Sequence, residues 1–154
     1  MRSEKHDTMM YGRFAVMLAL SFLVMFAFMY AMVDRLANAY PNLNQAYMAG
    51  LMVAPMAILE LVLMGAMYAN KQRNALIIGA SLLLLLICWF GIREQLGVDD
   101  KSFLRAMIPH HAGAILMCNQ ASISDAEIRK LCDEIAKSQQ QEIDQMKDIL
   151  RRLP

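Results

Sequence analysis

Charged side chains are scarce in this sequence: they make up 19% of its 154 residues, whereas hydrophobic residues make up 58%. Soluble domains ordinarily contain about 25% charged residues, so this composition favours a membrane protein. The net charge is only +1, which provides no strongly basic surface for a polyanion. We therefore expect membrane lipid, and no nucleic acid, among the partners.

Catalytic sequence motifs are also missing. The chain contains no Gly-x-Ser-x-Gly elbow, no glycine-rich phosphate loop and no Cys-x-x-Cys pair. It lacks the His-Glu-x-x-His motif of zinc hydrolases, and its C-terminal segment lacks the Glu-x-x-His motif of di-iron bundles. We predict that the protein is not an enzyme.

Cysteine is rare, and three cysteines cannot form a closed disulfide framework. Cys88 lies in an apolar run, whereas Cys118 and Cys132 lie in the C-terminal segment. An oxidising compartment would permit a disulfide between the latter two. The same residues are equally compatible with small apolar fillers or with thiolate ligands.

Long apolar runs occupy the first part of the chain. Residues 14–33 and 75–92 contain no charge, and residues 46–69 contain only Glu60. Each run is long enough to cross about 30 Å of hydrocarbon, so we predict three transmembrane helices within residues 14–92. The first run exceeds the core of a signal peptide and is interpreted as a retained anchor.

Positive charges near the ends of these runs predict their orientation. Five of them flank the first run or lie in the second loop: Arg2, Lys5, Arg13, Lys71 and Arg73. The first loop carries only Arg35. We therefore predict a cytoplasmic tail at residues 1–13, insertion in an inner or plasma membrane, and a periplasmic or extracellular domain at residues 99–153.

Glu60 is the one acidic residue inside a predicted span, near the middle of the bilayer. An ionised carboxylate there costs about 2.5–3.5 kcal/mol on insertion scales. Met56 and Met64 lie one turn to either side. We keep two interpretations: a neutral glutamate in a helix interface beside Pro55, or a methionine and glutamate site that passes metal through the membrane.

The segment after the third run has the pattern of a helical hairpin. Asp99 or Asp100 is the expected N-cap of a helix over residues 101–121, and Ser124 with Glu127 forms a capping box for a second helix that ends near Arg151. An apolar seam interrupted by Glu142 follows that helix: Ile128, Leu131, Ile135, Met146, Ile149 and Leu153.

Such a hairpin buries too little apolar area to be stable alone. The economical prediction is an all-α protein in which two copies dimerise to complete a four-helix bundle. Docking of the hairpin onto the membrane helices or onto another protein is the alternative.

Sulfur and imidazole side chains are concentrated on the first hairpin helix. Met107, His110, His111 and Met117 fall within eleven residues, and rotation by about 100° per residue places them in one stripe with Cys118. Thioether and imidazole ligands together favour Cu(I) over hard cations. The alternative is an amphipathic core helix in which methionine fills space.

Two motifs, Phe103 to Met117 and Glu134 to Met146, resemble the domain of unknown function 305 family over residues 99–153. The resemblance implies a ferritin-like bundle and extracytoplasmic copper handling. It implies these metal ligands, with Glu142 as the motif carboxylate: Met107, His110, His111, Met117 and Met146. Many members carry two hairpins in tandem, so the single hairpin here strengthens the dimer prediction. Cys118 stands where a small residue is expected.

A hairpin folded about residue 123 would place the histidine pair opposite Ile135 and Ala136. Met146 would then lie about 15 Å from His111, at 1.5 Å per residue. It would need a second chain, a shifted register or a separate metal ion. Glu142 would be nearer Met107 and would orient an imidazole without binding the metal directly.

The leading hypothesis is a membrane-anchored protein that binds Cu(I) or Ag(I) outside the cytoplasm for sequestration, tolerance or delivery. The second is a structural or interaction module that dimerises or docks onto a membrane complex, with buried histidines as hydrogen-bonding groups. The third is a transporter subunit that uses Glu60 and the methionines around it.

Overall fold

The computed structural model describes the backbone of residues 2–154 and the side chains of residues 8–154. Over residues 2–154 the chain is helical and contains no strand, which confirms the predicted all-α class. The five α-helices are α1 (Arg2–Phe28), α2 (Leu43–Leu63), α3 (Lys71–Arg93), α4 (Asp100–Gln120) and α5 (Ala126–Arg152). Two short 3-10 helices, Met29–Met32 and Leu36–Asn38, lie between α1 and α2.

Three segments are long and apolar enough to cross a membrane: Thr8–Met32, Leu43–Leu63 and Lys71–Arg93. Three such segments were predicted, and their number is confirmed, but the first begins before residue 14, and the second and third also begin earlier than expected. Asparagine caps explain the difference. The Oδ1 atom of Asn42 accepts a hydrogen bond from the amide of Gln45 at 3.0 Å, and Asn70 accepts one from the amide of Arg73 at 3.0 Å.

The second helix also ends earlier than predicted, at Leu63. Glu60 therefore lies in its last turn and not near the middle of the span. The helix is shorter than the apolar run of the sequence, because the residues after Leu63 form a turn. A carboxylate at the end of a membrane helix is less costly than one at its centre.

Contacts divide the chain into two units, which are described separately. The apolar unit contains the residues up to Phe28 and Ala46–Leu96. The hairpin unit contains Met29–Gln45 and Gly97–Pro154. The link between α1 and α2 thus belongs with the C-terminal hairpin.

The apolar unit places Tyr11, in the third turn of α1, beside the link between α2 and α3. The hydroxyl of Tyr11 donates to Asn74 Oδ1 at 2.6 Å and lies 3.2 Å from the carbonyl of Asn70. The Arg73 guanidinium lies over the Tyr11 ring, 5.5 Å from its centre. The two segments predicted to be cytoplasmic are therefore neighbours.

The hairpin unit has its own apolar core between α4 and α5. Ile108 and Ile143 are completely buried there. The other buried members of this core are Leu104, Ala112, Ile115 and Met146. Val33 and Tyr40, from the segment between α1 and α2, pack against the same core. This segment supplies part of the covering surface that a two-helix hairpin lacks.

Polar contacts also hold that segment against α5. Lys147 donates to the amide oxygen of the fully buried Asn38, whose amide nitrogen donates to Asp34 at 2.6 Å. Arg35 donates to Gln140 at 3.2 Å. Partial burial alone would raise the pKa of Asp34, but hydrogen bonds from Asn38 and Arg35, with the Arg35 charge, hold that pKa below its usual value.

Side-chain caps begin both hairpin helices. Asp99 accepts from the amide of Ser102 at 2.8 Å, as predicted. The expected Ser124 and Glu127 capping box is wrong: Asp125 is the N-cap of α5 and accepts from the amides of Glu127 at 2.9 Å and Ile128 at 3.0 Å. A carboxylate at this position also interacts favourably with the helix dipole.

Candidate functional site

His111 is the most constrained chemical group of the hairpin unit. It lies on the buried face of α4, and 7% of its surface is exposed. Its Nδ1 atom lies 2.9 Å from the carbonyl oxygen of Met107, one turn earlier in the helix. A carbonyl oxygen only accepts hydrogen bonds, so Nδ1 carries a proton and donates it. The lone pair of the neutral ring is therefore on Nε2.

The Nε2 atom of His111 faces a carboxylate. It lies 2.7 Å from Oε2 of Glu142 on α5, whose side chain is 51% exposed. Either an imidazolium donates to a carboxylate, or a neutral imidazole accepts from a carboxylic acid. In both states one proton lies between Nε2 and Oε2. The contact connects a buried ring to a carboxyl group that solvent reaches.

This contact corrects the expected register of the hairpin. His111 lies opposite Glu142 and not opposite Ile135 and Ala136, because the facing residues Cys118 and Cys132 centre the hairpin on residue 125 and not on residue 123. The expected separation of about 15 Å between Met146 and His111 is wrong, because it was based on that other register. Met146 is four residues from Glu142, or about 6 Å along the helix axis.

Four residues form what we call the inner site: Met107, His111, Glu142 and Met146. Met107 precedes His111 by one turn of α4, and Met146 follows Glu142 by one turn of α5. Because α4 and α5 run antiparallel in the hairpin, both methionines lie farther along the helix axis from the connecting loop than the His111–Glu142 contact does. Met146 is buried in the hairpin core, and the half-buried Met107 packs against that core.

His110 and Met117 lie apart from the inner site. His110 is exposed, and 54% of Met117 is exposed. The rings of His110 and His111 have centres 6.0 Å apart and are tilted by 65°. The predicted single stripe is therefore divided, because a rotation of about 100° between adjacent residues turns one histidine inward and the other outward.

Pro109 lies between Met107 and His110 and does not end the helix. Its missing amide leaves the carbonyl of Arg105, four residues earlier, without its usual partner in the helix. Asn42 Nδ2 approaches that carbonyl at 3.5 Å, the long limit of a hydrogen bond. The proline thus provides an acceptor for the segment that packs on the hairpin.

Cys118 and Cys132 form a disulfide between α4 and α5, with their Cα atoms 5.1 Å apart. The sequence alone is compatible with a disulfide, apolar fillers or thiolate ligands at these two positions. As a disulfide, Cys118 provides no thiolate to the inner site. Cys88 is free and buried in the apolar unit.

Zinc-type ligand clusters are not present in the described part of the chain. Among residues 8–154, no three side chains of His, Cys, Asp or Glu come together as they would around such an ion. Thioether ligands are not among those four types. Besides the Glu142 carboxylate, the thioethers of Met107 and Met146 lie one helical turn from the His111–Glu142 contact along α4 and α5.

Glu60 has a partner in the apolar unit. The hydroxyl of Tyr68 donates to its Oε1 atom at 3.3 Å. Met56 is half-buried, whereas Met64 lies beyond the end of α2 and is 41% exposed. The tyrosine contact accounts for the carboxyl group without a metal ion.

Comparison with known proteins places the hairpin in a family. Residues 93–151 match the family described as Domain of unknown function (DUF305). The chain is also 36% identical over 111 residues to "Uncharacterized protein L153" of Acanthamoeba polyphaga mimivirus, an alignment that covers 71% of each protein. The chain belongs to the DUF305 family. No solved structure matches it.

The DUF305 region contains α4 and α5 and therefore the complete inner site. The segment Met29–Gln45, which packs against this DUF305 hairpin, lies outside the matched residues. The alignment with the viral relative is longer than the DUF305 match, so the similarity extends beyond the hairpin.

Sequence reasoning missed the direct role of Glu142 at Nε2 of His111. The sequence feature that could have indicated the correct register between α4 and α5 was the pair of cysteines, Cys118 and Cys132. Placing these residues opposite each other moves the centre of the hairpin to residue 125 and brings Glu142 within one turn of the level of His111. The contribution of Met29–Gln45 had no distinct signal, because Val33 belongs to the predicted first run and Tyr40 is one of several apolar residues in the loop that follows.

Proposed function

We propose that this protein is a membrane-anchored binding protein for a soft monovalent ion, Cu(I) or, by the same chemistry, Ag(I). The observation that carries the proposal is the orientation of His111, whose Nδ1 is held by a carbonyl and whose Nε2 faces the half-exposed Glu142. Imidazole and thioether donors favour Cu(I), whereas hard cations require oxygen ligands. The role is sequestration, tolerance or delivery, without catalysis.

The inner site suits a ligand that replaces a proton. A histidine that donates from one ring nitrogen to a carbonyl has the arrangement typical of metal ligands, because the other nitrogen then has a fixed direction. The ion would bind Nε2 in place of the proton shared with Glu142. Met107 and Met146 have three rotatable side-chain bonds each, which allows their sulfur atoms to approach an ion about one turn away.

Proton release tests this arrangement. Binding of Cu(I) to the full-length protein in detergent is expected to release a proton, because the ion takes the place at Nε2 of the proton between His111 and Glu142. Replacing Glu142 with Gln is expected to reduce this release, because a glutamine amide cannot hold the proton that the carboxyl group shares with Nε2. Calorimetric titrations in buffers of different ionisation enthalpy measure the difference.

Glu134→Gln is the matched control, since Glu134 is an exposed residue of the same helix whose contact is a 4.0 Å pair with Lys130. It should release the same number of protons as the unchanged protein. Equal release by all three proteins would contradict the proposed displacement. Absence of Cu(I) binding by the unchanged protein would contradict the proposed function itself.

The proposed location of the hairpin unit is the periplasmic or extracellular side, with the N-terminus in the cytoplasm. Two observations support this. Met29–Gln45 and Gly97–Pro154 form one unit, as three membrane crossings require of the first loop and the C-terminal segment. The Cys118–Cys132 disulfide suits an oxidising compartment.

Single cysteine substitutions test the orientation in intact cells. A membrane-impermeant maleimide should label Leu36→Cys and Lys137→Cys directly, because both positions are exposed in the hairpin unit. It should label Gln72→Cys only after the cells are permeabilised. The unchanged protein provides the background, since Cys88 is buried and the other two cysteines are paired. Labelling of Leu36→Cys and Lys137→Cys from opposite sides would exclude three crossings.

An interaction module is the second candidate, favoured by the fact that both ring nitrogens of His111 already have hydrogen-bond partners. A homodimer is part of this candidate, and large exposed apolar side chains lie near the connection between α4 and α5: Met117, Ile128 and Leu131. Under this alternative, neither Cu(I) nor a chelator should change the oligomeric mass or the hydrogen-exchange protection of the detergent-purified protein.

A further inference from the structure

The Cys118–Cys132 disulfide lies at the end of the hairpin where α4 connects to α5, away from the start of α4 and the end of α5. Cys118 is in the last turn of α4 and Cys132 is in the second turn of α5. Their Cα atoms are 5.1 Å apart, and both residues are half-buried, so reagents in solution can approach the sulfur atoms.

Packing around the disulfide is sparse. In α5, no residue from Ala126 to Glu142 is buried. Three neighbours in the sequence, Met117, Ile128 and Leu131, are each more than half exposed. The disulfide is thus accessible and cross-links α4 to α5 next to the loop that connects them.

Pairing of the two helices does not depend on the disulfide alone. Ile108 and Ile143 are completely buried between the helices nearer their other ends, and His111 contacts Glu142. After reduction these contacts still hold α4 against α5. The two thiols therefore stay opposite each other.

Reduction creates a pair of soft ligands. An external dithiol reduces the disulfide by thiol–disulfide exchange. The reagent transfers two electrons and two protons to Cys118 and Cys132, which become thiols, and is itself oxidised to a disulfide. Thiolates select Cu(I) among the available metal ions, and Cu(I) accepts two sulfur ligands in a linear arrangement. Zinc sites need about four ligands, and no third His, Cys, Asp or Glu joins the pair among residues 8–154.

We propose that the reduced Cys118 and Cys132 form a second soft-metal site, which is closed by the disulfide and opened by an external dithiol to bind one Cu(I). Binding replaces the two thiol protons, so two protons leave as the ion enters. The inner site is separate, because Cys118 follows His111 by seven residues, or about 10 Å along the helix.

Anaerobic titration of the full-length protein in detergent with Cu(I) against a chromophoric competitor tests the proposal. The protein is titrated as isolated with its disulfide, and again after treatment with a dithiol that is then removed. Reduction should add one bound Cu(I) per chain and an ultraviolet charge-transfer band from thiolate to Cu(I). Equal stoichiometry in the two states, or an added ion without the band, would overturn the proposal.

Two variants make the result specific. Cys118→Ser with Cys132→Ser lacks the cross-link in both states and retains Cys88, so it should gain neither the ion nor the band on reduction. Met107→Leu with His111→Asn and Met146→Leu should still gain both. A gain in the serine protein would overturn the assignment to this pair. Failure of the inner site would instead appear as no bound Cu(I) in the oxidised, unchanged protein.

Discussion

Replacing His111 with Asn is expected to weaken Cu(I) binding by at least about 100-fold, which corresponds to about 2.8 kcal/mol. The substitution removes the Nε2 atom that Met107 and Glu142 hold in place. Loss of residues that only orient a metal ligand typically costs 10- to 100-fold in affinity, so loss of the ligand itself should cost about as much or more. Competition titration of the detergent-purified protein measures the change.

His110→Asn is the matched control, because it alters the same residue type one position earlier. His110 is exposed and has no place in the inner site, so its replacement should change the affinity by less than about 3-fold, within the range of surface substitutions. Equal losses at the two positions would contradict the division of the histidine pair. Stronger dependence on His110 would move the site to the exposed face.

The methionines provide a variant that preserves packing. Leucine has nearly the volume of methionine, so Met107→Leu and Met146→Leu should cost less than about 1.5 kcal/mol of stability. If Cu(I) affinity falls in these variants while hydrogen-exchange protection of the hairpin is retained, loss of thioether ligands is the cause. If affinity is unchanged, the methionines serve only the core.

Local signals in the sequence predicted most of the secondary structure. Asp99 caps α4 as expected because capping depends on residues within a single turn. The three apolar segments were found because a membrane crossing needs a long uncharged run. Asp125 was missed in favour of Ser124 because adjacent residues can both cap a helix, and the choice depends on the conformation of the preceding loop.

The inner site was only partly predictable. Met107, His111, Met146 and Glu142 were all named from the sequence, but their proximity depends on the register between α4 and α5. A shift of a few residues changes the distance between facing side chains by about 1.5 Å per residue. The length of the connecting loop and the packing of Ile108 against the α5 side of the core set that register, and neither follows from helical periodicity alone.

The expected instability of the hairpin led to a dimer prediction, and the chain contains another means of covering it. Val33 and Tyr40 reach the hairpin core from a segment that is distant in sequence. Asn38 anchors that segment through Lys147. These contacts join the segment between α1 and α2 to the C-terminal helices, so the stability of the hairpin depends on residues outside it.

Replacing Ile143 with Ala is expected to lower the free energy of unfolding of the hairpin unit by about 2–5 kcal/mol. Ile143 is completely buried between α4 and α5, so truncation removes apolar contacts and leaves a cavity. Hydrogen exchange of α4 and α5 amides in the full-length protein in detergent measures the loss, because protection reports the free energy of local opening.

Ile128→Ala makes the same change on the same helix at a residue that is 52% exposed, and it should cost less than about 1 kcal/mol. The comparison also tests the oligomeric alternative. In a four-helix bundle made from two hairpins, a second copy would cover Ile128 and its neighbour in the apolar seam, Leu131. A cost at Ile128 close to that at Ile143 would therefore support dimerisation, whereas a large difference means that residues of one chain, including Met29–Gln45, stabilise the hairpin without a second copy.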